Sequence, residues 1–320
     1  MSEVMDWLSR LLAMVPVSGR VDHRCFFGAP WRLDYEPAER GEIPYHIVLA
    51  GSVVLERPGS VPPRRLLAGD ILLLPDGTAH SLHDGSGAPP KPARSRPGLA
   101  VRISENDGTG ARLDMLCGRF IVSPADDTLL RSYLPGELIV HAAERRAAPA
   151  EQGSGPQLAG LVGLMRLESA AENLGGRAML DGLSTAMFAL ILRLASETVE
   201  APTGLLALAA HPRLAPALSA ILNEPARAWS LPELASLCNM SRATFVRHFQ
   251  EAMGRSAGDM LTDIRMTLAA NEMQRSSAST ARIAESVGYH SEAAFQRAFK
   301  QQTGMTPAQW RRAARSAGSL

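Results

Sequence analysis

The sequence is poor in cysteine, and it shows neither a long apolar run nor the pattern of a cleavable leader. Its three cysteines, Cys25, Cys117 and Cys238, are too few and too scattered for the disulfide framework of a small secreted protein. No apolar run reaches the roughly 18 residues of a membrane-spanning helix. The apolar start of the chain carries three charged residues by position 10, which favours an amphipathic helix over a signal peptide. We therefore expect a cytoplasmic protein with no membrane partner.

Length and charge indicate two domains. A chain of 320 residues is long for a single domain, and its hydrophobic content of 46% with 20% charged residues is typical of globular proteins. The net charge is +1, but residues 206–320 contain 13 Lys and Arg against 8 Asp and Glu. We predict one domain over residues 1–204 and a basic domain over residues 205–320, a composition that suits binding to nucleic acid.

Residues 20–125 are predicted to form strands, because their short apolar runs are rich in β-branched residues and bounded by turn signals. Residues 84–98, DGSGAPPKPARSRPG, predict a mobile loop without regular structure. A second stretch of this kind, residues 147–156, separates the strands from a helical region. Residues 157–198 have apolar spacing for two amphipathic helices, which could complete the core, form a dimer interface, or both.

Residues 229–250 have the pattern of two short helices joined by a tight turn. The first helix is predicted to begin with a capping box formed by Ser230 and Glu233. Ser241 follows the turn and can cap the second helix. The buried face of that helix is predicted to hold a phenylalanine pair, Phe245 and Phe249.

Residues 279–304 repeat this pattern about 50 residues later. Gly288 supplies the turn, Ser291 the second cap, and Phe295 and Phe299 the same spacing of aromatic residues. Each second helix is followed by a glycine five residues beyond its second phenylalanine. Two aligned copies predict a pair of helix-turn-helix units, in which the second helix of each enters the major groove of DNA.

Residues 205–315 resemble the AraC/XylS transcription regulators, from LPELASLCNMSRATFVRHFQ through IAESVGYHSEAAFQRAF. The resemblance implies a seven-helix domain whose two recognition helices enter successive major-groove segments of double-stranded DNA. A long middle helix over about residues 257–275 would bridge them. It also implies RNA polymerase as a partner if the protein is an activator.

The resemblance assigns base-reading positions to seven residues: Ala243, Val246, Arg247, Glu292, Ala293, Gln296 and Arg297. Arginine most often pairs with guanine and glutamine with adenine, so Arg247, Gln296 and Arg297 are the strongest candidates. Four further residues are candidates for phosphate contacts: Arg242, Thr244, Arg265 and His290. The alternative for the two base-reading arginines is a solvated helix face.

Residues 69–80 match the second cupin motif. Four residues occupy its fixed positions: Gly69, Pro75, Gly77 and His80. The first motif retains His46, but Val48 stands where a second metal-binding histidine would be, and the usual glutamate is missing. This region resembles the cupin-type N-terminal domain of one AraC/XylS branch, which includes regulators that sense reactive chlorine or other oxidants through cysteines.

The cupin resemblance implies a small antiparallel β-barrel with His80 pointing into its mouth. The expected fold class is therefore α+β, with this barrel and two accessory helices followed by an all-α domain. If the barrel brings Cys25, His46 and His80 together, they could bind Zn²⁺. Cys25 and Cys117 could instead form an oxidant-driven disulfide, which needs Cα atoms within about 7 Å. Alternatively, the histidines make internal hydrogen bonds and Cys117 packs as a small apolar residue.

The sequence as a whole predicts a transcription regulator whose N-terminal domain senses a small molecule, a metal or an oxidant. The alternative is a metal-dependent cupin enzyme fused to a DNA-binding domain. We expect no enzymatic activity, because a catalytic metal usually keeps about three protein ligands and the first cupin motif has lost two. A homodimer is an open possibility.

Overall fold

The computed structural model describes residues 5–59, 62–142, 154–197 and 203–317. The strands in these ranges are β1 (Ser18–Gly28), β2 (Arg32–Tyr35), β3 (Glu42–Ala50), β4 (Ser52–Glu56), β5 (Arg64–Leu67), β6 (Asp70–Leu73), β7 (His80–His83), β8 (Ala93–Pro97), β9 (Arg102–Asn106), β10 (Arg112–Ile121) and β11 (Leu138–His141). The helices are α1 (Trp7–Met14), α2 (Pro124–Tyr133), α3 (Ser154–Glu168), α4 (Gly176–Glu197), α5 (Leu205–Ala210), α6 (Ala215–Asn223), α7 (Leu231–Leu237), α8 (Arg242–Met253), α9 (Ala257–Arg275), α10 (Thr280–Ser286), α11 (Glu292–Thr303) and α12 (Pro307–Ala317).

These elements form two compact units. The barrel unit comprises the described residues within 17–122 and 135–197, and the helical unit comprises residues 5–16, 123–134 and 203–317. Helices α1 and α2 therefore belong to the helical unit, although they lie before and within the sequence of the barrel unit. Nothing in their sequence indicates this placement. The division of the chain at residue 204 stays a prediction.

The barrel unit contains two sheets that share one apolar core. The larger sheet has the strand order β11-β6-β3-β10-β1-β9-β8, and the smaller has the order β2-β7-β4-β5. Side chains from both sheets meet in the core, among them Phe27, Val53, Leu72 and Leu82. The pairings are antiparallel except that β9 runs parallel to β1. The expectation of an antiparallel barrel is corrected at that strand, and the long stretch of chain between β1 and β9 supplies the crossover that a parallel pair needs.

The predicted loop at residues 84–98 is wrong in its second half. Ala93–Pro97 forms strand β8, which pairs with β9 at the edge of the larger sheet. An edge strand tolerates proline and exposed polar side chains because one of its sides has no strand to bond. The strand was therefore missed because its proline and polar residues are also typical of a loop.

The predicted helices of residues 157–198 are confirmed as α3 and α4. Helix α4 packs on β1 and α3, with Leu180, Met187 and Ile191 buried. Gly19 of β1 allows this close approach, since a Cβ atom there would lie 2.3 Å from the Ser184 hydroxyl oxygen. Among the described residues, α4 is also the one helix long and apolar enough to suit a membrane span. Its buried face against β1 is what a core helix of a globular unit shows.

The C-terminal part of the helical unit confirms both helix-turn-helix predictions. Ser230 and Glu233 form the capping box of α7, and Ser241 and Ser291 cap α8 and α11. The bridging helix α9 spans Ala257–Arg275, as predicted. The resemblance implied seven helices, whereas residues 203–317 hold eight. The additional helix is the short α5, whose three leucines are buried.

The two helix-turn-helix units repeat each other in three dimensions. Along α8 and α11 the order of buried and exposed positions is the same except at the last residue, where Met253 is buried and Thr303 is partly exposed, and each phenylalanine pair lies in the core. Each turn contains one residue with a left-handed backbone, Asn239 (φ 51°) in the first unit and Gly288 (φ 85°) in the second. Cys238 precedes this residue in the first unit, as Val287 does in the second, and both are buried. Cys238 is therefore a core residue of the turn.

Candidate functional site

A buried cluster of two cysteines and two histidines lies where β1, β3, β7 and β10 meet. His46 faces Cys117 directly across the β3–β10 pairing, and its Nδ1 lies 3.2 Å from the Cys117 Sγ. The other ring nitrogen of His46, Nε2, lies 2.9 Å from Nε2 of His80. Cys117, His46 and His80 are each no more than 5% exposed. The sequence motifs named His46 and His80, but they did not pair His46 with Cys117.

Tyr35 completes this cluster from strand β2. Its ring stacks on His80 with centroids 4.7 Å apart and planes 7° apart, and its hydroxyl lies 3.6 Å from the Cys117 Sγ. Burial, together with the charge of Cys117, raises the pKa of Tyr35 well above its usual range, which keeps the phenol protonated. No sequence signal indicated Tyr35, because its position depends on the pairing of β2 with β7.

The hydrogen bonds within the cluster fix the tautomers of both histidines. Nδ1 of His80 lies 3.2 Å from the Thr78 carbonyl oxygen, which can only accept, so this nitrogen carries the proton. Burial and the nearby His46 lower the pKa of His80 to about 4, so its Nε2 is an acceptor at neutral pH. His46 must then donate through Nε2, which leaves its Nδ1 free to take a proton from Cys117. The cluster is a thiol with a base held against it.

The two thiols of the cluster differ in acidity. A hydrogen bond from Cys25, together with the charge and hydrogen bond of His46, holds the pKa of Cys117 well below its usual range. The hydrogen bond that Cys25 donates to Cys117, together with burial, raises the pKa of Cys25 well above its usual range. Cys117 is therefore the more acidic thiol of the pair, and Cys25 is the thiol that holds its proton more strongly.

Cys25 and Cys117 lie on the same face of adjacent antiparallel strands. In the register of β1 with β10, Cys25 pairs with Met115 and His23 pairs with Cys117, which makes the two cysteines diagonal neighbours. Both thiols are free. Diagonal neighbours have Cα atoms about 7–8 Å apart, at or beyond the limit of disulfide geometry. A Cys25–Cys117 bond would therefore require β1 and β10 to shift locally.

The donor set of the cluster does not converge on one point. His46 directs Nδ1 at a sulfur and Nε2 at His80, whereas a single metal ion can take only one nitrogen from a given imidazole. In the described ranges, no group of three His, Cys, Asp or Glu side chains has an arrangement that holds a metal. The predicted Zn²⁺ set of Cys25, His46 and His80 stays a prediction that would need the His46 ring to turn.

The cluster forms one wall of a cavity of about 860 Å³ within the barrel unit. Tyr35, His46, His80 and Cys117 all line it. The other walls carry charged side chains of both signs, among them Arg20, Asp22, Glu42, Arg102, Arg119 and Arg177. The charged walls suit a small polar molecule, which the cavity would hold beside the cluster.

The base-reading candidates lie on one exposed strip of each recognition helix. On α8 these residues are Ala243, Val246 and Arg247, and on α11 they are Glu292, Ala293, Gln296 and Arg297; all seven are exposed. Gln296 donates a hydrogen bond to Glu292 at 2.9 Å, which gives the glutamate a partner within the protein. The second strip therefore presents a preassembled amide–carboxylate pair, and the first does not.

The phosphate candidates differ in how free their side chains are. Arg242 and His290 are exposed, and the Thr244 hydroxyl lies 2.9 Å from the hydroxyl of Ser241. Arg265 donates to the carbonyl oxygens of Pro225, Ala226 and Arg227 and lies over the ring of Tyr289. Its guanidinium therefore fastens the chain before α7 to α9, and its assignment to a phosphate stays a prediction.

Comparison with known proteins identifies the family of this chain. A family model described as a cupin matches residues 6–197, and one described as a helix-turn-helix domain matches residues 234–313. An HTH-type transcriptional regulator of Haemophilus influenzae is 31% identical over 310 residues, which cover 96% of this chain and 99% of that protein. The chain belongs to the AraC-type transcription regulators with an N-terminal cupin domain.

Two further relatives of this regulator match over nearly their whole length. The RCS-specific HTH-type transcriptional activator RclR of Escherichia coli is 29% identical over 316 residues, covering 96% of this chain and 97% of the relative. The HTH-type transcriptional regulator MtrA of Neisseria gonorrhoeae is 28% identical over 312 residues, covering 96% and 98%. These relatives support a regulator with a sensor domain, rather than the alternative of a cupin enzyme.

Proposed function

We propose that this regulator senses an oxidant through Cys117 and Cys25 and converts the signal into a change in DNA binding. The observation that carries the proposal is the 3.2 Å approach of a base, His46 Nδ1, to the buried Cys117 sulfur, with Cys25 as the diagonal neighbour of Cys117 on the adjacent strand. A thiolate beside a resolving cysteine is the arrangement that redox-sensing proteins use. The relative RclR, described as specific for RCS, supports an oxidant of the reactive chlorine class.

The chemistry needs one equivalent of oxidant. The Cys117 thiolate attacks the chlorine of hypochlorous acid, which forms an S–Cl bond and releases hydroxide. The sulfur of Cys25 then displaces chloride from this sulfenyl chloride, and its proton combines with the released hydroxide to form water. The two thiols lose two electrons in forming the disulfide, and hypochlorous acid is reduced to chloride and water. Because Cys25 and Cys117 are diagonal neighbours, the disulfide would require β1 and β10 to shift, and this shift would transmit the signal from the cluster to the rest of the protein.

The output of the proposed switch is sequence-specific binding to double-stranded DNA in the cytoplasm. Arg247 and Arg297 would read guanines, and Gln296 an adenine, while Arg242, Thr244 and His290 would contact phosphates. Helix α3 keeps Leu164 and Leu167 exposed, a surface that suits a homodimer. Activation of transcription would add a contact with RNA polymerase.

Substitution of each cysteine tests the sensor. We expect Cys117→Ala and Cys25→Ala to abolish the transcriptional response to hypochlorous acid, measured with a reporter under a promoter that the protein controls. Cys238→Ala is the matched control, because Cys238 is equally buried but lies in the helix-turn-helix turn. A full response in Cys117→Ala, or loss of response in Cys238→Ala alone, would contradict the proposed sensor.

A further inference from the structure

Asn271 is a buried amide on the bridging helix α9 that holds two other segments of the helical unit. Its Nδ2 donates to Oδ1 of Asp126 at 2.8 Å and lies 3.4 Å from the carbonyl oxygen of Met14. Its Oδ1 accepts from the hydroxyl of Ser123 at 3.2 Å. The residue is 6% exposed. Both ends of one amide are therefore used, the nitrogen as donor and the oxygen as acceptor.

The partners of Asn271 stand next to the two strands that carry the cluster cysteines. Met14 ends α1, and strand β1 begins four residues later at Ser18. Ser123 caps α2, two residues after β10 ends at Ile121. Ser18 and Ile121 are themselves paired in the β1–β10 register. The chain therefore enters β1 and leaves β10 through segments that a single side chain fastens to α9.

Helix α2 is fixed to α9 at its other end as well. The hydroxyl of Tyr133 donates to Oδ2 of Asp263 at 2.5 Å, and Arg255 donates to the same carboxylate oxygen. Asp263 lies two turns before Asn271 on α9, so α2 runs antiparallel along the bridging helix. Because α9 joins the two helix-turn-helix units, a displacement of α2 acts on the element that sets the separation of the recognition helices.

We propose that Asn271 is the residue that couples strands β1 and β10 to the DNA-binding helices. It is a positioning residue, and for its natural signal the inference rests on the proposed function of Cys25 and Cys117. A shift of β1 against β10 moves the ends of α1 and α2 relative to each other, and the Asn271 amide converts that movement into a displacement of α9.

The chemistry of the amide explains why asparagine is required at this position. An aspartate of the same shape would place a second carboxylate against Asp126 at the distance of a hydrogen bond, where like charges repel. Burial already raises the pKa of Asp126, an effect that its bonds to Asn271 and Ser123 oppose. Exchange of the two side chains, Asp126→Asn with Asn271→Asp, restores the 2.8 Å bond between one amide and one carboxylate but not the longer contact with the Met14 carbonyl oxygen, so we expect partial recovery.

The test uses the full-length protein and three variants. Asn271→Asp breaks the contact, Asp126→Asn/Asn271→Asp rebuilds it, and Gln274→Glu makes the same amide-to-carboxylate change at an exposed position of α9. After treatment with one equivalent of hypochlorous acid, we measure the Cys25–Cys117 bond by peptide mass spectrometry and operator affinity by fluorescence anisotropy. Thermal unfolding confirms that each variant is folded.

We expect Asn271→Asp to form the disulfide as the wild type does, while its oxidant-dependent change in operator affinity falls to less than twofold. The exchanged pair should recover at least half of the wild-type change, and Gln274→Glu should keep all of it. A wild-type response in Asn271→Asp, or no recovery in a folded exchanged pair, would overturn the coupling.

A second readout separates the coupling from the thiol chemistry. If the wild type forms no disulfide, the proposed sensor fails, and the coupling is then judged by hydrogen exchange. Coupling predicts that Cys117→Ser, a change in β10, alters amide exchange in α9 when Asn271 is present and not in the Asn271→Asp background. Equal exchange changes in both backgrounds, or none in either, would overturn it.

Discussion

The cysteine–histidine cluster and the candidate DNA-contacting residues of this regulator differ in solvent exposure. In the barrel unit, Cys117, His46 and His80 are buried and bonded to one another. On the recognition helices, Arg247 and Arg297 are exposed. A buried group must have its bonding satisfied within the protein, so its chemistry depends on its neighbours, whereas an exposed arginine keeps its donors for DNA. Substitutions should therefore separate into those that change reactivity and those that change binding alone.

The largest effect is expected in the core beneath the recognition helices. Phe249→Ala and Phe299→Ala each remove a fully buried ring, which typically costs about 3–5 kcal/mol of stability. Urea unfolding should show this loss, accompanied by loss of operator binding. Val246→Ala, on the exposed strip, should change stability by less than about 0.5 kcal/mol. Equal stability of the phenylalanine and valine variants would remove the distinction between core and surface.

The next largest effect is expected for the exposed arginines. Arg247→Ala and Arg297→Ala should each weaken specific operator binding by about 1–3 kcal/mol, roughly 5- to 150-fold, and leave the free energy of unfolding unchanged. Footprinting and anisotropy at fixed salt measure the effect, and Arg40→Ala, an exposed arginine of the barrel unit, is the control. Unchanged footprints in both variants would refute the base-reading assignment.

A smaller effect on reactivity is expected at His46. His46→Gln removes the base beside Cys117, and loss of one charge-assisted hydrogen bond should slow the reaction of Cys117 with oxidant by about tenfold or more. Stopped-flow kinetics of thiol loss gives the rate, and operator affinity of the reduced protein should not change. His23→Gln is the control, since His23 lines the same cavity. If both variants react at the wild-type rate, His46 does not activate the thiol.

The smallest effect is expected at the helix caps, where the two units should behave alike. Ser241→Ala and Ser291→Ala each remove the side chain that accepts from a backbone amide at the start of a recognition helix. Loss of such a cap typically costs about 1 kcal/mol. Chemical denaturation should show similar losses in both variants. A clear loss of stability in only one of the two variants would show that the two units, although similar in sequence, differ in how much their helix caps contribute to stability.

The sequence predicted the helical unit better than the barrel cluster, for a physical reason. Caps, turns and the phenylalanine spacing are local signals, and they placed Ser241 and Ser291 correctly. The family resemblance, rather than a local signal, predicted the position of α9. The pairing of His46 with Cys117 depends on the register of two strands about 70 residues apart, which no local pattern specifies. The position of Tyr35 depends on strand pairing in the same way.

The sequence also did not predict that α1 and α2 belong to the helical unit. The sequence indicated an amphipathic helix near the start of the chain, but amphipathicity does not reveal which surface covers the apolar face. The partners that fix these helices, among them Asn271 and Asp263, are single polar residues on a distant helix. Strand β8 was missed because its composition is that of a loop.

The most direct test of the account is peptide mass spectrometry of the full-length protein before and after one equivalent of hypochlorous acid, with operator footprinting of the same samples. We expect a Cys25–Cys117 disulfide, an unmodified Cys238, and a footprint that changes as the disulfide accumulates. A changed footprint with Cys25 and Cys117 both still reduced would contradict it.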